Sequence, residues 1–591
     1  MAEILAAESS VIDIINQAAN NNDFNFNDCC EYISTSINPN PFLPDQIDSS
    51  SWPLHVKDVP RIDLDRLRDL PAAPPSISER NNYCLLWTTD ANRYAVLDTA
   101  LYPPRTRYNT PYTKLTPADV NKMLEMNVIR RIHPDEVRGH MRLFPVPEFF
   151  KQRRRPIRHT EDINDVLGRE TLLKLDMATK VDIISLVHLG DWAVAFDAAA
   201  FFDQFALHPD VGARMCFMKG HKYYAATTAP MGQRQSVEVA HTTMQKLIHH
   251  PDRECCTAAI IDNSIFVGTS KDMCIRDGQR FVERCAHVSC KLNEDTSDIE
   301  QLVSQRVEWG GIGLDFKNKT TRLTQKMVDK LNLSWSLRAR WTLQSFAAHM
   351  GCLFWTVGIV AGNPGDYYPA LQFYATVCSE FSRAATAPDY DKKRYWNQPA
   401  YVPRHVLESL AAWTAHAVQN TPNRVPHPTA ADHLADWLVC VDACSEGFGY
   451  VAVCPRTGET RHHGQRWDDR FRAFAGHRLR QSVFTEPEAA VLSMCHLLAY
   501  DPERKIHVHV WTDSTTTMAA ANKGYNVRSE HINECMQRLR ASFPETVRAS
   551  EPNGGFRFTF DHIAGKDNYV ADALSRGKKV SFAEVQGEAA D

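Results

Sequence analysis

Single carboxylates at the ends of apolar runs are the residues whose type and spacing could do chemistry in this chain. "VAFDAAAFFDQF" brings a strand-like run to Asp197, and "AAIIDNSIFVG" sets Asp262 and Asn263 between two more. "LVCVDACSEGFG" carries Asp442, "VFTEPEAAV" carries Glu486 and Glu488, and "HVHVWTDSTTT" carries Asp513. "HIAGKDNYVADALSR" holds His562 in a loop and Asp572 ten residues later on a helix. One Asp in such a place is ordinarily a turn or a helix cap. Several converging carboxylates repel one another unless cations neutralise them, as paired Mg2+ ions do in in-line phosphodiester chemistry. "KQRRRPIR", from Lys151 to Arg158, packs five cations into eight residues and suits a local phosphate contact.

The elements that must hold these residues follow from composition. At 591 residues, 43% hydrophobic and 23% charged, the chain is globular and too long for one ordinary core. Residues 1–100 carry 15 acidic and 6 basic side chains, so the remainder is mildly basic although the whole is −5. No apolar run approaches the roughly 20 residues that span a bilayer, and no charged-then-apolar secretory start is present. Sixteen Cys without a CxxC pair read as reduced thiols. An intracellular protein, cytoplasmic or nuclear and without a membrane partner, is expected.

Residues 1–104 read as an acidic Asn/Pro-rich extension, partly disordered with one short helix near the start. Order is expected from "YTKLTPADVNKMLEMNVIRRI", where Thr116-Pro117 is an N-cap followed by N1. Short β-rich runs then alternate with helical segments to about 324, an α+β pattern. Residues 325–430 read as helical and end in a Pro-marked linker. A second strand-and-helix unit covers 431–577, and 578–591 form a tail.

"VDACSEGFG", "TEPEAA", "WTDS" and "HIAGKDNYVADALSR" together resemble the ribonuclease H domain of retroelements over about residues 434–577. The resemblance implies Asp442, a Glu, Asp513 and Asp572 as metal ligands, with His562 assisting product release or proton transfer. Glu486 is preferred for the Glu, and Glu488 stays open because Pro487 interrupts the usual pattern.

The first half resembles a reverse transcriptase, with its motifs in order from about 108 to 325. "FDAAAFFDQF" matches the first palm motif, which implies Asp197 as metal ligand and Phe202 as the ring that excludes a 2′-hydroxyl. "TTAPMGQRQSVEVA" matches the Pro-x-Gly turn, which implies Gly232 and Gln233 beside template and nucleotide. "LFPVPEFFKQRRRPIRHTEDIN" matches the fingers hairpin, where Arg155 has the spacing of the triphosphate clamp and Lys151 is a second phosphate contact. "AAIIDNSIFVG" takes the place of the Tyr-x-Asp-Asp hairpin, with Asp262 as ligand and Asn263 in the second-Asp position. "VSCKLNED" resembles a following motif that supports the primer end, but the usual Lys after Leu292-Asn293 is absent, and whether Lys291 replaces it stays open.

The implied whole is a multidomain α+β protein: a right-hand polymerase of fingers, palm and thumb joined to an α/β ribonuclease H-like domain. Its combination of "FDAAAFFDQF" and "IDN" is most similar to VIPER/DIRS elements of the trypanosomatid-like type. The implied function is RNA-directed DNA synthesis with degradation of the RNA strand, using two Mg2+ per active site or Mn2+ in their place. RNA template, DNA primer, RNA/DNA hybrid and dNTPs are the implied partners, with other element-encoded proteins beside them. Asn263 motivates one alternative, a catalytically impaired element-derived RNA/DNA-binding protein. An RNA-dependent RNA polymerase is a second, disfavoured by Phe202 and the fused ribonuclease H.

Overall fold

The computed structural model describes residues 49–100, 113–148, 151–168, 172–387, 390–425, 435–499, 506–543 and 556–580. The helix expected near the start and most of the tail lie outside the described residues. The chain divides into two units, residues 1–337 with 422–425, and residues 338–421 with 426–591. The class is mixed α/β and multidomain, as expected, and among the described residues no helix is long and apolar enough to cross a membrane.

Residues 49–100 correct the expectation of a partly disordered extension. Helices α1 (Leu64–Asp69) and α2 (Pro75–Thr89) form there, and Asp63 caps α1 by accepting the Asp65 and Arg66 N–H groups. Leu54, Ile62, Leu67, Leu85 and Tyr94 are buried in the same core as Phe196 and Phe266. Asp63 and Asp90 sit at helix caps and Pro75 opens a helix, while the apolar residues reach a core supplied by later sequence. Composition alone does not reveal that partner.

Helix α3 (Pro117–Glu125) opens with the anticipated cap, extended to a reciprocal box in which Thr116 and Asp119 each accept the other's N–H. Beyond β1 (Ile129–Ile132), strands β2 (Arg142–Glu148) and β3 (Arg153–His159) pair as a hairpin. Strand alternation divides the basic run of β3 between two faces. Arg154 is 7% exposed and bidentate to Asp119 at 2.9 and 3.0 Å, and Arg158 is buried against Asp203 and Thr228. Two of the five cations therefore hold the fold together.

Strand β4 (Trp192–Asp197) begins the central sheet of unit 1. Strands β5 (Cys216–Lys219) and β6 (Lys222–Ala226) pair with β1 in a separate sheet. After α4 (Arg234–Ile248), strands β7 (Cys256–Ile260) and β8 (Asn263–Gly268) complete an antiparallel sheet of order β4-β8-β7. Helix α5 (Lys271–His287) covers its back, where Phe196, Phe266 and Phe281 meet with ring centroids 5.0–6.2 Å apart. Strands β9 (Arg306–Trp309), β10 (Ile312–Asp315) and β11 (Thr320–Leu323) precede α6 (Gln325–Ser336). The returning β12 (Asn423–Arg424) pairs with β11, which brings residues 422–425 into unit 1.

Unit 2 opens with helices α7 (Leu343–Thr356), α8 (Tyr368–Ala385) and α9 (Arg404–Gln419). Trp413 of α9 meets Phe354 edge-on at 5.6 Å and stacks on Tyr367 at 5.3 Å. Strands β13 (Trp437–Ala443), β14 (Gly447–Val453) and β15 (Thr460–Arg466) form an antiparallel meander, followed by α10 (Asp469–Ala475) and α11 (Ser482–Leu498). Then come β16 (Ile506–Thr512), α12 (Thr515–Lys523), α13 (Glu530–Ser542), β17 (Phe556–His562) and α14 (Tyr569–Ser575). The sheet order is β15-β14-β13-β16-β17, with β16 parallel to both β13 and β17.

Helix α14 lies close on this sheet because Gly449 and Gly464, partners across β14 and β15, offer no side chain beneath it. A Cβ on Gly449 would stand 2.6 Å from Leu574 Cβ and from the Ser575 nitrogen. Gly449→Ala is expected to destabilise unit 2 by about 1–3 kcal/mol in urea titrations. Gly351 of α7 has open space around its Cβ position, so Gly351→Ala is expected to stabilise by about 0.5–1 kcal/mol.

Candidate catalytic centres

Parallel pairing places the carboxylates of unit 2. Val441 is level with Thr512, and Thr512 with His562, so Asp442 and Asp513 stand together at the carboxyl ends of β13 and β16. Glu486 projects from the second turn of α11, where one carboxylate oxygen accepts the Ala443 N–H at 3.0 Å and the other faces the Thr512 hydroxyl at 3.4 Å. Ligand oxygens of Asp442, Glu486 and Asp513 all lie within 4.8 Å of one another. Asp572, on α14, is near enough that its charge raises the Asp442 pKa, and Arg576 bonds its Oδ1 at 2.8 Å. Ser575 donates to Asp442 Oδ2 at 2.7 Å, so α14 both supplies one carboxylate and orients another.

Burial sets the electrostatics of this centre. Glu486, 2% exposed, is pushed up to about 9 by desolvation and then by Asp442 and Asp513. Desolvation lifts Asp442 to about 6, with Asp513 and Asp572 adding to the rise. Asp513 also moves up through burial, partly offset by attraction to the exposed His562. The donors are oxygens only, which fits a hard divalent cation such as Mg2+ or Mn2+.

Glu488, the alternative ligand, belongs to a different cluster. Two residues along a helix turn it roughly 200° from Glu486, toward His531 and Cys535 of α13. Arg538 donates to both its oxygens, and His531 Nε2 bonds the Phe484 carbonyl at 2.9 Å. That network is closed on itself and is separate from the Asp442 group.

In unit 1 antiparallel register does the same work. Asp197 ends β4 opposite Asn263, and the hairpin turn puts Ile261 in the left-handed region at φ 55° and Asp262 beside Asp197. The Ala198 N–H bonds the Asp262 carbonyl at 2.9 Å, tying the two carboxylate-bearing segments together. Desolvation, then repulsion from Asp197, pushes Asp262 up to about 6. Asn263 Nδ2 donates to Asp262 Oδ1 at 3.0 Å and counters that rise. Burial also raises Asp197, relieved first by Asn293 and then by Lys57, Lys151 and Arg155.

Three anticipated cations or gates therefore have definite surroundings. Arg155 shares Glu148 with Arg153, bonding Oε1 at 2.7 Å, and exerts its charge on both Asp197 and Asp262. Lys151 is exposed and acts on Asp197. Phe202 is partly exposed at the edge of the core, whereas its neighbours Phe201 and Phe205 are buried and in contact. Gly232 sits against β3, where a Cβ would meet the Arg158 carbonyl oxygen at 2.6 Å. Gln233 is held internally. It is 2% exposed and its amide donates to the Tyr94 hydroxyl at 2.6 Å.

Lys57, Asn293, Glu294 and Ser575 have positions at these centres but carried no assigned role. Both Glu294 oxygens accept the Asp197 N–H at 3.1 Å, and Asn293 Nδ2 donates to Asp197 Oδ2 at 2.8 Å. For Asn293 and Glu294 the signal was present in "KLNED", where an acid follows Leu-Asn. Lys57 and Ser575 have no local signal.

Because Glu486 holds its proton to about pH 9 in the folded state and to about pH 4.5 otherwise, the folded state binds the extra proton between those values. Metal-free stability is therefore fully favoured below pH 4.5 and falls as pH rises toward 9, by at most about 1.4 kcal/mol per pH unit. Mg2+ is expected to raise the melting temperature of unit 2 more at pH 8.5 than at pH 6. Glu486→Gln should flatten both dependences in calorimetric scans.

No family model matches this sequence, and no curated protein matches it. Solved structures do. The dRH form of the foamy viral protease-reverse transcriptase in complex with double-stranded DNA aligns at TM-score 0.44 and 12% identity, covering 86% of this chain and 83% of that one. The foamy viral protease-reverse transcriptase with double-stranded DNA aligns at TM-score 0.42 and 13% identity, over 86% and 99%. Its complex with an RNA/DNA hybrid aligns at TM-score 0.39 and 12% identity, over 75% and 52%.

Proposed function

We propose that the chain is a retroelement reverse transcriptase with ribonuclease H activity, of the VIPER/DIRS type. It extends a DNA primer on an RNA template and cuts the RNA strand of the resulting hybrid. The observation that carries the proposal is a cluster of carboxylates at the end of a sheet in each unit, Asp197 with Asp262 and Asp442 with Asp513 and the helix residue Glu486.

Asp197 and Asp262 would hold divalent cations in unit 1, and Asp442, Glu486, Asp513 and Asp572 would hold them in unit 2. Two Mg2+ per centre, or Mn2+, would supply a lowered pKa for the attacking O–H and charge stabilisation at the leaving oxygen. Arg155 offers a fork of donors to the dNTP triphosphate, with Glu148 holding the guanidinium in place until then. Lys151 adds a second cation there. Phe202 presents a ring to the sugar, which admits deoxyribose and excludes a 2′-hydroxyl. In unit 2, His562 beside Asp513 is placed to shuttle a proton at the leaving 3′-oxygen. The A-like shape and 2′-hydroxyls of a hybrid distinguish it from DNA.

Primer extension on poly(rA)/oligo(dT) with Mg2+ or Mn2+ tests the proposal. Template-dependent dNTP incorporation is expected. Predominant rNTP use, or hybrid binding without synthesis, would overturn it in favour of an RNA polymerase or an inactive binding protein. Asp513→Asn should abolish hybrid cleavage and spare extension. Phe202→Ala should raise rNTP incorporation at least tenfold relative to dNTP, and unchanged selectivity would assign this ring to the core.

A further inference from the structure

Lys57 lies in the segment expected to be an extension, yet it reaches the candidate polymerase centre. The segment is pinned at both ends. Leu54 pairs with Arg154 of β3, with the His55 N–H on the Arg154 carbonyl and the Arg154 N–H on the Pro53 carbonyl. Downstream, the Ile62 N–H bonds the Gln204 carbonyl and the Asp63 N–H bonds the Val288 carbonyl. Between these anchors Lys57 Nζ donates to Asn293 Oδ1 at 2.5 Å. Asn293 in turn donates from Nδ2 to Asp197 Oδ2 at 2.8 Å, and its backbone N–H bonds the Asp197 carbonyl.

The arrangement is unusual in what it prevents. Lys57 is near enough to Asp197 for its charge to favour the ionised carboxylate, yet the two form no direct ion pair. Here the Asn293 amide stands between them, holding the ammonium with its oxygen and the carboxylate with its nitrogen. Among the described residues Lys57 makes no ion pair, and the Asn293 oxygen is the one protein acceptor met by its three donors. Lys57 also heads the cations acting on Asp197, ahead of Lys151 and Arg155. Three cations from two separate parts of the chain thus act on Asp197, and Arg155 acts on Asp262 as well, which suits an anionic reactant that must approach two carboxylates.

We propose that Lys57 is a phosphate-binding residue of this centre, held off Asp197 by Asn293 so that its free donors meet phosphoryl oxygens of the substrate. The proposal rests on the polymerase function above and extends it to a residue outside every recognised motif. Phosphoryl oxygens reach such a site from an incoming dNTP or from the primer backbone, and the two are separable by measurement.

The test uses the full chain carrying Asp513→Asn, so that hybrid substrates stay intact. Lys57→Gln and Lys57→Arg are compared for steady-state primer extension and for equilibrium binding of labelled primer–template, with and without dTTP, in Ca2+. A charge-assisted contact to phosphate corresponds to roughly a tenfold loss or more when removed. If the contact is to the dNTP, Lys57→Gln raises KM for dNTP by that factor and abolishes the tightening of primer–template by dTTP. If it is to the backbone, Lys57→Gln weakens primer–template binding itself and leaves KM for dNTP within twofold. Lys57→Arg is expected to recover at least half of either effect, which a purely structural lysine bonded to one amide oxygen would not require. Asn293→Ala should raise the Mg2+ concentration needed for extension, because Lys57 is then free to pair with Asp197. Adding Lys57→Gln to it should lower that requirement again. Unchanged KM and unchanged binding in Lys57→Gln would overturn the proposal. Failure of the parent chain to extend any primer would instead sink the polymerase function, and the Ca2+ binding arm would still report on Lys57.

Discussion

Repulsion between carboxylates in poorly hydrated positions is the constraint on which both centres depend. Each unit converges acids on the end of a sheet and removes part of their water, and the pKa values of Asp262, Asp442 and Glu486 rise in response. Such a cluster persists only where rigid elements over-determine it. In unit 2 the elements are two parallel strand pairings and a helix seated on a glycine-lined floor. In unit 1 they are a hairpin, its neighbour β4, and the 291–294 segment along the β4 edge.

Hydrogen bonds to neutral and cationic groups moderate the repulsion without removing it. Ser575 and the Ala443 N–H act on Asp442 and Glu486, while Asn263 and Asn293 act on Asp262 and Asp197. These partners of Asp442, Glu486, Asp262 and Asp197 are all neutral, whereas Asp572 at the edge of the unit 2 centre is paired with Arg576. A direct lysine or arginine would relieve the repulsion more fully, but it would occupy the oxygens that a metal ion needs. Arg538 illustrates the alternative: it closes on Glu488 with two bonds and leaves that carboxylate satisfied.

Legibility in the sequence followed how local each determinant was. Asp197, Asp262, Asp442 and Asp513 could be read because an Asp at the end of an apolar strand is a short-range pattern, and strand ends converge when the strands pair. The choice between Glu486 and Glu488 could not be made from spacing, since both lie in one turn of α11 and only the packing of that helix on β13 and α13 separates them. Gln233 is placed beside template and nucleotide only by the resemblance of its Pro-x-Gly turn, and nothing nearby announces Tyr94, 139 positions earlier. Residues 49–100 were misjudged for the same reason. Their apolar residues are as frequent as in the chain as a whole, and they become a core only with partners such as Phe196 and Phe266. Lys57 is 236 positions from Asn293, beyond the range of any motif.

Asn263 shows how one substitution shifts this balance. A carboxylate in its place would stand in register with Asp197 and beside Asp262, which already carries a pKa near 6. A third acid there would push its neighbours further toward the protonated form, so part of the added charge would be lost at neutral pH. The amide instead donates a hydrogen bond to Asp262 and stabilises its ionised form. Glu294, on the Asp197 N–H, restores an anion to the neighbourhood from the opposite edge of β4. The centre thus exchanges one inner anion for better ionisation of the two that remain. For any cation held by Asp197 and Asp262, the missing charge lowers affinity and the larger ionised fraction raises it, so the two terms oppose each other.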